Sequence, residues 1–293
     1  MPLPDVTRLN LSAGLASVGV AGLLVMLKLW ALGETGALSV AASLADSAMD
    51  LMVSLGAMAA ILYAARPPDE DHVFGHNSAE DLAALGQSLF ILISAGVITW
   101  AAVTRLITAQ PERLTAEGSG IMAMTLSILL TLALIVWQTR VAQRTGNKVV
   151  KADRLHYLGD LLPNLGAIAS LWASSRFGLI QIDSIMALAA AGMLAIGALK
   201  IGRSAWDALM DRAADPEVID GIATLARNWP GVHGFHDLKT RMAGSKIFVH
   251  LHIELDGDLT LREAHDIGAG LRRTILLAYP QTDVIIHKDV AGR

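Results

Sequence analysis

The chain contains no cysteine. That excludes disulfides and thiolate metal ligands, including the thiolates that suit copper(I). Charge is also scarce: Asp, Glu, Lys and Arg supply 17% of the 293 residues, where a soluble domain carries about 25%. No HExxH motif is present, so the signature of a helical zinc peptidase is missing. Short repeats and low-complexity tracts are absent too. The net charge of −4 is mild and gives no reason to expect nucleic acid as a partner. The N-terminal run MPLPDVTRLNLSAG lacks a basic stretch ahead of a short apolar core. The first apolar segment is therefore expected to be a retained helix and not a cleaved signal peptide.

What the chain has in quantity is apolar residues, 53% of the total, with a mean hydropathy of +0.49. Six segments reach the roughly 20 residues needed to cross a bilayer as helix, near 10–32, 37–65, 80–108, 115–142, 149–175 and 182–210. Lys28 falls near the far end of the first, where its ammonium is expected to snorkel to the interface. Pro67 and Pro68 stop the second helix. Ten basic residues flanking the segments, from Arg8 through Arg66, Arg140 and Lys148 to Arg212, fall on one side, against Arg105, Arg113 and Arg176 on the other. This excess puts both termini in the cytoplasm. Trp30, Trp100, Trp137, Trp172 and Trp206 lie toward span ends, as an interfacial belt requires.

Charge becomes dense after about residue 212, which divides the chain into a membrane part, 1–212, and a tail, 213–293. In the tail, DPEVIDGIATLARNW opens with an Asp-Pro helix start and ends at Pro230 and Gly231. HGFHDLKTRMAG and KIFVHLHIEL read as strands joined by a turn at Gly244 and Ser245. Ile247, Val249, Leu251, Ile253 and Leu255 alternate onto one face. An amphipathic helix and a last strand, TDVIIHKDV, complete an αββαβ order. The expected architecture is thus a multi-pass α-helical membrane protein with six transmembrane helices and a C-terminal α+β domain, ferredoxin-like or metallochaperone-like, in the cytoplasm. About 80 residues fold alone only marginally, so self-association is expected.

Two membrane segments each hold a pair of metal-capable residues at i,i+4 spacing: Asp46 with Asp50, and His156 with Asp160. Residues four apart share a helix face. Ionisable groups at membrane depth mark function by default; the bland alternative is a satisfied polar contact between helices. One imidazole and three carboxylates can close a four-coordinate site. Left empty, three carboxylates in low dielectric must be neutralised by cations or by protons, the basis for metal/proton exchange. The donor set suits Zn²⁺ and tolerates Cd²⁺, Fe²⁺ or Co²⁺; Ca²⁺ and Mg²⁺ want more oxygen ligands. With four protein ligands no open position remains for a catalytic water, so an enzyme is not expected.

Elsewhere, Asp69, His72 and His76 fall together in the loop DEDHVFGH, either as a metal site or as a solvated acidic loop. The tail holds six of the nine histidines: His233, His236, His250, His252, His265 and His287. Strand periodicity places His250 and His252 on one face, and His287 and Asp289 on another. Asp153, one turn before His156, is expected to be an interfacial cap or a neighbour of Arg154, the alternative being a guide for ions from the cytoplasm. Asn164 is expected to support Asp160, and Ser43 and Ser47 to be helix-packing residues.

SLADSAMD and DRLHYLGD, together with DEDHVFGH and the stranded tail, resemble the cation diffusion facilitator family, its bacterial zinc and ferrous-iron efflux branch above all. The resemblance covers essentially the whole chain. It implies a homodimer in the bacterial inner membrane that exports cytoplasmic divalent metal in exchange for protons by alternating access. It also implies three ligand sets: Asp46, Asp50, His156 and Asp160 for transport; Asp69, His72 and His76 in the loop; and His236, His252, His265, His287 and Asp289 in a two-metal cluster between paired tails. Relatives can carry a Lys where this chain has Ser78, facing an acid like Asp211, so that charge contact is expected to be absent. The alternative reading is a membrane metal sensor that binds without transporting.

Overall fold

The computed structural model describes residues 5–35, 38–108, 118–161 and 182–292. The chain divides into two compact units, Met1–Trp206 and Asp207–Arg293. The first is helical: α1 (Asp5–Thr35), α2 (Leu38–Ala64), α3 (Ser78–Thr108), α4 (Gly118–Thr145), α5 (148–161 as described) and α6 (Ile182–Leu209). Five of these contain stretches long and apolar enough to cross a membrane. Of the expected fifth span, 149–175, only the first part is described, and Asn164, Trp172 and Arg176 lie outside the described residues.

Small side chains let these helices approach closely. α1 packs most extensively on α2 and α4, and Ala13, Ala57, Ile61, Val141, Ala142, Val149 and Val150 form one core joining α1, α2, α4 and α5. Ile91, Ala95, Leu155, Ala191, Leu194 and Ala198 form a second, joining α3, α5 and α6. A Cβ on Gly197 would lie 2.8 Å from Leu155 Cδ2, so glycine lets the Leu155 side chain of α5 pack directly on the α6 backbone. Outward-facing side chains such as Met52, Leu89, Ile93, Trp100 and Ile196 are exposed, an apolar exterior that suits lipid. Trp30, Trp137 and Trp206 are exposed as well.

The start of α5 fixes the height of its ligands. Gly146 turns the chain at φ +69°, and Asn147 Oδ1 accepts from Val150 N at 3.0 Å, an N-cap bond.

In the second unit α7 (Pro216–Arg227) precedes β1 (Gly234–Ala243), β2 (Lys246–Leu255), α8 (Leu261–Ala278) and β3 (Thr282–Val290). β2 is central, antiparallel to β1 and parallel to β3. Gly244, at φ +57°, makes the β1–β2 turn. Thr260 and Glu263 form a reciprocal capping box at α8. Ile247, Val249, Leu251, Ile253 and Leu255 are all buried and pack with Ile222, Leu271 and Ile275 from the two helices. The sixth tryptophan, Trp229, donates from Nε1 to the Ile267 carbonyl at 3.1 Å.

Candidate metal centres

Within the helical unit, α2 and α5 bring Asp50, His156 and Asp160 together. His156 Nε2 lies 3.2 Å from Asp50 Oδ1 and 3.9 Å from Asp160 Oδ2. Nε2 is buried between the two carboxylates. A donor atom held so close to two carboxylates has a lone pair suited to a shared cation. Phe90 packs edge-on against the imidazole, with ring centroids 5.7 Å apart. These side chains line a cavity of about 380 Å³, with Asp46, Lys28, Phe90, Ser94 and Leu194 in its walls. Asp46 faces the same cavity but is exposed and stands outside the trio whose ligand atoms lie within 4.8 Å.

Two polar residues near this cavity depart from the positions expected of them. Lys28 does not simply reach for the interface: its Nζ donates to Ser47 Oγ at 2.7 Å and lines the ligand cavity. Ser47 is accordingly a buried hydrogen-bond acceptor as well as a small packing residue. Asp153 is also not an interfacial cap. It is 3% exposed and accepts from Gln138 Nε2 at 2.7 Å, while Arg154 turns to Thr139 instead. A further chain of hydroxyls was not anticipated. Ser17 donates to Ser54 at 2.8 Å, and Ser54 lies 2.8 Å from the Tyr157 hydroxyl. It ties α1, α2 and α5 beside His156. The available signal was polar side chains recurring inside apolar helices. At the base of α3, Lys148 donates to the buried Asp81 at 2.7 Å.

In the loop, His72 Nδ1 lies 3.2 Å from Asp69 Oδ1, and His76 Nε2 lies 3.2 Å from Asp69 Oδ2. The two imidazole centroids are 4.6 Å apart. Asp69 also accepts from the His72 backbone N–H at 2.7 Å. That bond, followed by the neighbouring imidazoles, holds its carboxyl below the ordinary range. Gly75, at φ +88°, folds the loop back so that His76 is buried while His72 stays exposed. Tyr63 stacks edge-on against His76. Glu70 and Asp71 are exposed and are not members of this trio.

On the tail sheet, strand register sets three histidines side by side. His236 pairs with His252, and His252 with His287. Ring centroids are 5.1 and 4.7 Å apart, the spacing of adjacent strands. Asp289, two residues along β3 from His287 and so on its face, reaches all three imidazoles at 2.9–3.3 Å. The hydrogen bond with His252 is the largest influence holding its carboxyl below the ordinary range. His236, His252 and Asp289 converge tightly enough for one ion. His265 lies apart from them, exposed on α8, and His233 and His250 are exposed. Asp211 has an ion-pair partner in Arg241, at 3.2 Å, within the second unit.

The sequence matches the family model for the cation efflux transmembrane domain over residues 14–210, and the model for the cation efflux protein cytoplasmic domain over 214–290. The chain belongs to the cation diffusion facilitator family. It is 39% identical to the cation-efflux pump FieF of Cronobacter sakazakii over 97% of this chain and 94% of that protein. It is 38% identical to FieF of Klebsiella pneumoniae, over 96% and 93% respectively. A solved structure, the metal-bound C-terminal domain of the CzcD transporter from Thermotoga maritima, is 29% identical and covers 26% of this chain and 91% of its own, at a TM-score of 0.26. Membership of this family makes the protein a bacterial inner-membrane transporter of divalent metal cations and not an enzyme.

Proposed function

We propose that the protein exports a divalent transition metal, Zn²⁺ foremost, from the cytoplasm in exchange for protons. The observation that carries this reading is the meeting of Asp50, His156 and Asp160 in one cavity between apolar helices. One imidazole with carboxylates favours a borderline ion such as Zn²⁺, with Fe²⁺, Cd²⁺ and Co²⁺ as further cargo. Asp46 completes the set when a small movement of α2 turns its carboxylate toward the trio. Metal and protons compete for the same carboxylates and imidazole, which couples export of one to import of the other.

Residues 1–212 form the membrane unit in this reading and 213–293 the cytoplasmic one, with both termini inside. The two helix cores support alternating access, because the cavity wall contributed by α3 and α6 belongs to a different packing group from α1, α2 and α4. The chain works as a homodimer in which tail metal, held by His236, His252, His287 and Asp289, links the paired tails. His265 of each protomer serves the other's cluster, which fits its exposure on α8. The loop trio Asp69, His72 and His76 forms a third ligand set, which binds metal at the cytoplasmic side.

The test is metal flux in proteoliposomes under an imposed pH gradient, native protein against Asp50→Ala. Zn²⁺ flux that the substitution abolishes supports the reading. Metal binding with no flux in the native protein would instead mark a sensor.

A further inference from the structure

The cavity that holds the ligands also holds a cation of its own. Lys28 is the only Lys or Arg in its wall among the described residues, and it shares that wall with Asp46, Asp50 and Asp160, whose charges act on its ammonium. Its Nζ is fixed by donating to Ser47 Oγ at 2.7 Å. Ser47 in turn is next to Asp46 and one turn before Asp50's neighbours on α2. Lysine is costly at membrane depth unless it is paired or functional. Here its stem crosses from α1 and its head is anchored on the ligand-bearing helix.

Charge counting gives this placement a consequence. Three carboxylates and a neutral imidazole carry −3, and the ammonium reduces the cavity to −2. A divalent cation then brings the site to zero, whereas without the lysine it would leave the site at −1. We infer that Lys28 is a positioning residue that sets the cavity's charge to match a dication, keeping metal affinity low enough for release. This inference rests on the transport reading above. In the cavity, the ammonium repels the bound metal while anchoring α1 to Ser47. The metal is therefore held by carboxylates whose attraction is partly offset by a tethered competitor. Two like charges sharing a site of effective dielectric near 20 change affinity by roughly tenfold or more.

The experiment compares Zn²⁺ flux in proteoliposomes for the native protein, Lys28→Gln, Lys28→Met and Lys28→Arg, with size-exclusion profiles confirming intact protein. Loss of the charge is expected to lower KM for Zn²⁺ by about tenfold and to lower kcat by a similar factor as release slows. Lys28→Arg keeps the charge and is expected to restore both. An unchanged or raised KM in the two neutral variants, or an Arg variant indistinguishable from them, overturns the inference. Native protein that moves no metal at all would instead defeat the transport reading itself, so the two failures are separable.

Discussion

Three imidazoles and a carboxylate lie at the water-facing surface of the tail sheet, whereas the membrane cavity encloses one imidazole among carboxylates behind helix walls. The tail row is held by backbone register: His236, His252 and His287 are cross-strand neighbours, and no side-chain rearrangement is needed to align them. The membrane trio is held by helix packing, with Asp50 on one helix and His156 and Asp160 on another. A register row cannot easily be opened without unzipping the sheet. A site between helices changes shape when they slide, which is what a carrier needs. Burial separates the two further. A metal held by the exposed and half-buried imidazoles of the tail would exchange with solvent at little desolvation cost, which suits equilibration with cytoplasmic metal. The carboxylates of the membrane cavity, half-buried at Asp50 and more open at Asp160, crowd one another between apolar helices, which favours their neutralisation by metal or by protons and suits exchange.

The largest expected effect comes from breaking the membrane side of this contrast. Asp50→Ala should reduce Zn²⁺ flux by at least about a hundredfold, beyond the roughly 10–100-fold cost of losing an outer-shell partner, while metal bound to the tail is unchanged. Isothermal titration alongside flux separates the two. Next in size is Leu251→Ala, which empties a fully buried position in the central strand. It should destabilise the tail by about 3 kcal/mol, read as faster hydrogen exchange in β1–β3 of the full chain. If the row depends on register, tail metal is lost with it.

A milder effect is expected when His252→Ala and His287→Ala are combined. Tail stoichiometry should fall, and flux by about fivefold, a coupling near 1 kcal/mol. Unchanged flux would show that the tail does not regulate transport. Smallest is Thr260→Ala at the α8 cap, costing about 1 kcal/mol. The same cap has a pH signature. Glu263 is held below the ordinary carboxyl range by its hydrogen bonds with Thr260. Its support for the fold is therefore present above the unfolded pKa and lost as pH falls through the lowered folded pKa. Thermal melts of the Glu263→Gln variant should lose that acid-side slope.

Much of this contrast was legible in the sequence. Helical period alone put Asp46 with Asp50 and His156 with Asp160 on shared faces, because 3.6 residues per turn is fixed by the backbone. Strand alternation likewise located the buried stripe from Ile247 to Leu255. What it could not supply was register. His250 and His252 share a face by period, yet only His252 joins the row. The irregularity in β1 between His236 and Lys239, with Asp237 at φ +49°, decides which histidine meets which. Lys28 was misplaced for a related reason: position along a span says how deep a residue lies, not which neighbouring helix its side chain meets. Asp153 was read from its Arg154 neighbour, but its partner, Gln138, is on another helix.

A cavity of Asp50, His156 and Asp160 that exchanges a dication for protons moves the metal uphill at the expense of a proton gradient. Proteoliposomes loaded with equal Zn²⁺ on both sides, placed under a pH gradient and followed for metal and proton movements together, test this. Net Zn²⁺ accumulation on the acidic side is expected, coupled to opposite proton flux and abolished by a protonophore. Zn²⁺ that only equilibrates, with or without the gradient, would contradict it and leave a passive channel.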